Sequence, residues 1–122
     1  METLNRLYDQ YRDVANFFVV YIREAHPLTD VPDGSRVEQP TTDEERSIVA
    51  LLCADTLKIR IPMLVDNIDD KAARDYQGWP DRLFIVRGGE VLYAGARGPQ
   101  GFLPAEMEQA LQRSLAPKAA AR

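Results

Sequence analysis

Arg82-Leu83-Phe84-Ile85-Val86, then Arg87-Gly88-Gly89, then Glu90-Val91-Leu92-Tyr93-Ala94, are two short apolar runs parted by a turn that ends in paired glycines. Glycine takes positive φ without steric cost, so the spacing predicts two antiparallel strands, 82–86 and 90–94, closed by a hairpin. Downstream, Pro104 stands where a helix begins and its missing N–H costs nothing, and Met107, Ala110, Leu111 and Leu115 follow on one face. Residues 117–122 are small and polar enough to fray.

Upstream, Leu4, Leu7, Tyr8, Tyr11 and Ala15 share one stripe of a 3.6-residue period, which predicts a helix over 2–14. Phe17-Phe18-Val19-Val20-Tyr21-Ile22 is apolar on both alternating faces, the pattern of a central parallel strand covered on each side. Pro27 stops it, and 28–40 reads as a loop. Thr42 with Glu45 three residues on is a capping box for a helix over 43–58, whose face carries Ile48, Val49, Leu52, Cys53 and Thr56. Pro62–Asp66 is a short strand and 69–77 a short helix. The order helix, strand, helix, strand, helix, strand, strand, helix is α/β, with a thioredoxin-like ending of hairpin and packing helix. In such a fold the strand entered at Pro80 starts with a proline that is often cis, and Trp79-Pro80 is the candidate.

At 122 residues, with 45% hydrophobic and 28% charged residues, the chain has the length and composition of one soluble domain, expected over 1–116. The longest apolar run is far short of the ~20 residues of a membrane span, and Met1–Arg6 lacks a secretory pattern, so a cytoplasmic location is expected. A net charge of −4 without a basic cluster disfavours nucleic acid as a partner. A single Cys and a single His exclude a thiolate or histidine metal cluster, and no cofactor is expected. Gly95, Gly98 and Gly101 follow an antiparallel strand and are interrupted by Pro99, which disfavours a phosphate-binding loop.

Four separated blocks carry a more specific signal. Val20-Tyr21-Ile22-Arg23-Glu24-Ala25-His26-Pro27, Pro62-Met63-Leu64-Val65-Asp66-Asn67, Trp79 through Val86, and Tyr93-Ala94-Gly95 with Gly98-Pro99-Gln100-Gly101-Phe102 together resemble the iodothyronine deiodinase family, in particular its bacterial members. The resemblance covers nearly the whole chain. It implies a thioredoxin fold and a redox enzyme whose selenocysteine or cysteine follows the first core strand, upstream of the segment matching Leu4–Tyr11. The expectation is therefore that the first strand and the nucleophile are missing, leaving the domain N-terminally incomplete and the isolated chain inactive. The missing strand would lie between 17–22 and 82–86, so these two strands should pair directly, dimerise through their exposed edges, or aggregate.

The resemblance also assigns roles. His26 would contact the substrate or relay a proton, and Glu24 would orient it or share that proton, where each residue alone reads as a solvated loop or strand-end group. Tyr21 is either a residue beside the site or core packing. Arg82 would bind an anionic substrate group with its planar fork, and by itself reads as a solvated strand-end cation. Trp79 and Pro80 are expected to be structural, with Trp79 packed. The family's Asp-Gly-Trp after the histidine has no counterpart, since this chain has Leu28-Thr29-Asp30 and then Asp33-Gly34-Ser35. Cys53, in mid-helix, reads as core packing and a poor nucleophile.

Two functions follow from these expectations. One is a deiodinase-like oxidoreductase acting on a small aromatic or peroxide substrate with a thiol reductant. The other is a non-catalytic binding or assembly module. A stable monomer in size-exclusion chromatography with a normal unfolding transition is the result that excludes dimerisation and aggregation through strand edges.

Overall fold

The helical stripe of Leu7 and Tyr11 becomes α1 (Glu2–Tyr11) in the computed structural model of the protein, which describes residues 1–23, 29–30, 36–37 and 39–115. The chain divides into two units, Met1–Pro80 and Asp81–Arg122. In the first unit α1 buries Leu7 and Tyr11 as expected, and it also buries Asn5. The Asn5 amide donates to the Lys58 carbonyl (2.8 Å) and accepts from the Arg60 N–H (3.0 Å), which ties α1 to the segment 58–60. A buried amide is tolerated there because both its ends are paired.

β1 (Val19–Tyr21) and β4 (Met63–Val65) form a parallel pair, with Val19 opposite Met63, Val20 opposite Leu64 and Tyr21 opposite Val65. The expected central strand, covered on both sides, is not what forms. Among the described residues β1 pairs only with β4, and Val20 and Leu64 are exposed. Within the expected loop, β2 (Thr29–Asp30) and β3 (Arg36–Val37) make a short antiparallel pair. A two-residue ladder is too brief for any hydrophobic alternation to announce it.

α2 (Asp43–Thr56) begins at the predicted capping box. Thr42 Oγ1 accepts from the Glu45 N–H (3.1 Å), but the Glu45 carboxylate reaches back to the Thr41 N–H and hydroxyl instead of to Thr42 (2.8 Å each). The Thr41 backbone N–H is the main reason that this carboxyl lies below its ordinary pKa. The helix turns a different face inward from the one its apolar residues predict. Arg46 and Ala50 are buried, whereas Ile48 and Leu51 are 66% and 73% exposed, and Cys53 is half-buried.

Arg46 explains that rotation. Its side chain, 2% exposed, donates to the Asn67 carbonyl (2.6 Å), more weakly to the Asp66 carbonyl (3.4 Å), and to the Asp70 carboxylate (2.8 Å). Nη1 and Nη2 are thus met by this loop while the buried Nε has no partner, so the burial rests on the two terminal nitrogens. In the same loop the buried Asp66 carboxylate accepts from the N–H groups of Asn67, Ala72 and Ala73 at 2.8–2.9 Å. It thereby satisfies the orphan donors of α3 (Lys71–Asp75), which has no cap from its own N-cap residue.

In the second unit, β5 (Phe84–Arg87) and β6 (Glu90–Ala94) form the predicted hairpin. Gly88 and Gly89, at φ +57° and +81°, make the two-residue turn, in the left-handed region that matches strand twist. The register slips after Ile85, so that Tyr93 faces Ile85 while Val91 faces Val86, and Leu92 is the extra residue of a bulge. α4 (Pro104–Leu115) packs on both strands and buries Met107, Ala110 and Leu111, as its spacing predicts. Residues 117–122 lie outside the described residues.

Arg46→Met leaves Asp70 and two loop carbonyls without their donor. We expect it to lower unfolding stability by about 2 to 3 kcal/mol, read as a drop in the urea midpoint.

Candidate active site

Strand ends position the residues expected to form the site. Tyr21 is the last residue of β1 and is buried, which places it in the core of the first unit, while its carbonyl accepts from the Asp66 N–H at 2.8 Å. Glu24 and His26 lie outside the described residues. Trp79-Pro80 is a cis peptide, as expected, and follows α3, where the Gly78 N–H donates to the Ala73 carbonyl (2.9 Å). Trp79 is 44% exposed and follows a turn with positive φ at Gln77. Tyr21, Trp79 and Pro80 belong to the first unit and Arg82 to the second.

Arg82 is not the solvated strand-end cation of the simplest reading. Its Nε donates to the Gly95 carbonyl at 2.7 Å, and its guanidinium carbon stands 4.7 Å above the centre of the Phe84 ring. Residues 82 and 84 share one face of an extended chain, so the strand periodicity sets the stack. The ring attracts the cation and the carbonyl fixes one edge of the fork, which holds the guanidinium in one plane. A planar fork held in this way suits recognition of a carboxylate.

Gly95 is the hinge of this corner. Its N–H donates to the Leu83 carbonyl (2.9 Å) while its own carbonyl holds Arg82. A Cβ there would lie 3.1 Å from the Tyr93 hydroxyl and 3.3 Å from the Leu83 carbonyl. Tyr93 in turn donates to the Glu106 carboxylate of α4 (2.9 Å), and burial, then the bond to Glu106, raises its pKa. A Cβ at Gly98 would overlap the Asp81 carboxylate, and the Gly98 N–H donates to the Asp81 carbonyl (3.1 Å). Phe84 and Glu106 were not legible as site residues. The signal that existed was the i, i+2 spacing of Arg82 and Phe84.

Among the described residues no group of three or more His, Cys, Asp or Glu is placed to hold a metal ion. Nor is any described helix long and apolar enough to cross a membrane.

A mixed α/β protein whose strand-entry arginine is clamped by a carbonyl and a ring is the class that the geometry defines. A sequence profile of the family described as iodothyronine deiodinase matches residues 1–115. The chain belongs to that family. It is 33% identical over 121 residues to a thyroxine 5-deiodinase of Sparus aurata, covering 93% of this chain and 43% of the relative. A type I iodothyronine deiodinase of Xenopus laevis is 24% identical over 111 residues, covering 89% and 44%. A thyroxine 5-deiodinase of Ovis aries is 28% identical over 118 residues, covering 93% and 39%. The chain thus spans about two fifths of the length of the curated relatives it matches.

Two outcomes test this corner. Gly95→Ala must push Tyr93 or the Leu83 carbonyl aside, and should cost about 1 to 3 kcal/mol in chemical denaturation. Since the Tyr93 pKa is raised above its ordinary 10.0, the folded chain keeps that proton longer than the unfolded chain. The resulting stability is fully present below pH 10.0 and is lost as pH rises through the folded value, so Tyr93→Phe should flatten the alkaline limb of a stability-versus-pH curve.

Proposed function

We propose that this chain is the scaffold and substrate-binding portion of a thioredoxin-like thiol or selenol oxidoreductase of deiodinase type. The clamped Arg82 carries the reading, because a guanidinium held in plane by Gly95 and Phe84 suits the carboxylate of a small aromatic substrate. The parallel β1–β4 pair and the closing hairpin with its helix support the fold part of the proposal.

In the reaction proposed, an iodinated aromatic and two thiols give the deiodinated aromatic, iodide, a proton and a disulfide. The nucleophile takes the halogen and a proton takes its place on the ring carbon. Two thiol equivalents then release iodide and restore the nucleophile. His26 delivers the proton, Glu24 orients His26, Arg82 binds the anionic group, and Tyr21 supports the site from the core. The nucleophile comes from outside residues 1–122, because the one thiol here, Cys53, sits half-buried in mid-α2. A reducing, cytoplasmic setting suits a chain with a single cysteine.

A second reading, a non-catalytic binding or assembly module that dimerises through strand edges, draws on the exposed Val20 and Leu64 of a two-stranded parallel sheet.

The decisive assay measures iodide release by the intact protein from its native cell, with an iodinated phenol acid and dithiothreitol. Turnover should survive Cys53→Ser, fall by at least about a hundredfold in His26→Ala, and show a raised KM with little change in kcat in Arg82→Gln. Turnover abolished by Cys53→Ser overturns the external nucleophile. No turnover in the intact protein, with a dimer in solution, favours the module.

A further inference from the structure

The far end of β1 carries a second arrangement that the proposed reaction does not use. Tyr8, Arg12, Phe17, Phe18 and Pro62 line a cleft of about 220 Å³ where α1 ends and the β1–β4 pair begins. The Val19 N–H donates to the Pro62 carbonyl (2.9 Å) and closes the sheet beside it. The rings of Tyr8 and Phe17 meet edge to face, with centroids 5.7 Å apart at 77°, so one ring braces the other. Phe18 is 58% exposed, so its ring is available at the cleft. The Arg12 guanidinium lies over Tyr8, its carbon 5.0 Å from the ring centre. No carboxylate of the described residues forms an ion pair with Arg12, and Asp9, three residues away, is taken by Arg60.

We infer that this cleft is a binding site for a single-ring aromatic carboxylate. Its volume lies below the roughly 300 to 1,000 Å³ of drug-sized sites, which restricts the ligand to about one ring. The aromatic walls offer a ring offset-stacked and edge-to-face partners. The stacked guanidinium offers two parallel N–H donors to a carboxylate, which an amide or an alcohol cannot engage in the same way. The last turn of α1 does not oppose an anion strongly. The Tyr8 carbonyl already accepts from the Arg12 N–H, and the Tyr11 carbonyl from the N–H groups of Val14 and Ala15. The site stands on Arg12 and is independent of Arg82 and of the proposed turnover.

The test titrates phenylacetate into the isotope-labelled chain and follows amide shifts by NMR, with phenylacetamide and cyclohexylacetate as paired probes. Phenylacetate should bind in the millimolar range and move the signals of Arg12, Phe17 and Phe18, and both other probes should bind more weakly. Arg12→Gln should weaken binding at least about tenfold, and Arg12→Lys should restore only part of it, because an ammonium lacks the fork. Phe18→Ala, at an exposed position where the fold is not at risk, should weaken it about threefold or more. Equal binding of phenylacetamide, unchanged affinity in Arg12→Gln, or loss of binding in Arg82→Gln with shifts confined to residues near 82–95 would each overturn the proposal.

Discussion

The burial of one guanidinium governs the first unit. Arg46 sits in α2 at a position where helical periodicity would otherwise allow an apolar face to turn inward. Instead it is the side chain driven into the interior, because the loop after β4 offers it carbonyls and a carboxylate at hydrogen-bonding distance. The bonds of its Nη atoms to that loop offset the burial, and Leu51 and Ile48 face outward while Arg46 does not. Asp66 works on the same loop from the other side. Its carboxylate gathers three N–H groups and starts α3, and its backbone N–H continues the ladder to Tyr21. The end of β1, the end of β4 and the start of α3 are thereby tied together by polar groups.

The second unit is held differently. Its hairpin follows from paired glycines and its helix from apolar periodicity, and the polar bonds serve mainly to orient single side chains. Arg82, Gly95, Tyr93 and Glu106 form a chain in which each group limits the next: the carbonyl fixes the guanidinium, the missing Cβ leaves room for the phenol, and the phenol reaches α4. An arginine restrained by both a ring and a carbonyl loses less freedom when it meets an anion, which is the physical advantage of such a clamp for recognition.

Much of the architecture was legible beforehand. The capping box placed α2, the Gly88-Gly89 pair placed the hairpin turn, and the apolar stripes placed α1 and α4 with their buried faces. The cis bond at Trp79-Pro80 was expected, whereas that at Gly98-Pro99 was not. The reading failed where neighbours decide. The apolar run at 17–22 reads as a central strand, yet among the described residues it pairs only with β4, and Trp79 is 44% exposed. For the site, Arg82 was found through the family motif, while Phe84, which steadies it, carried only a spacing.

Local chemistry alone was enough for the helices, the hairpin and the membership of the deiodinase family, because propensity, capping and turn geometry act over a few residues and a motif is read directly from its letters. Which helix face turns inward, which side chains are clamped and which strand edges are paired were decided only by the folded chain. Those outcomes depend on whether a donor meets an acceptor across twenty or more residues, as Arg46 meets Asp70, and no local pattern encodes that meeting.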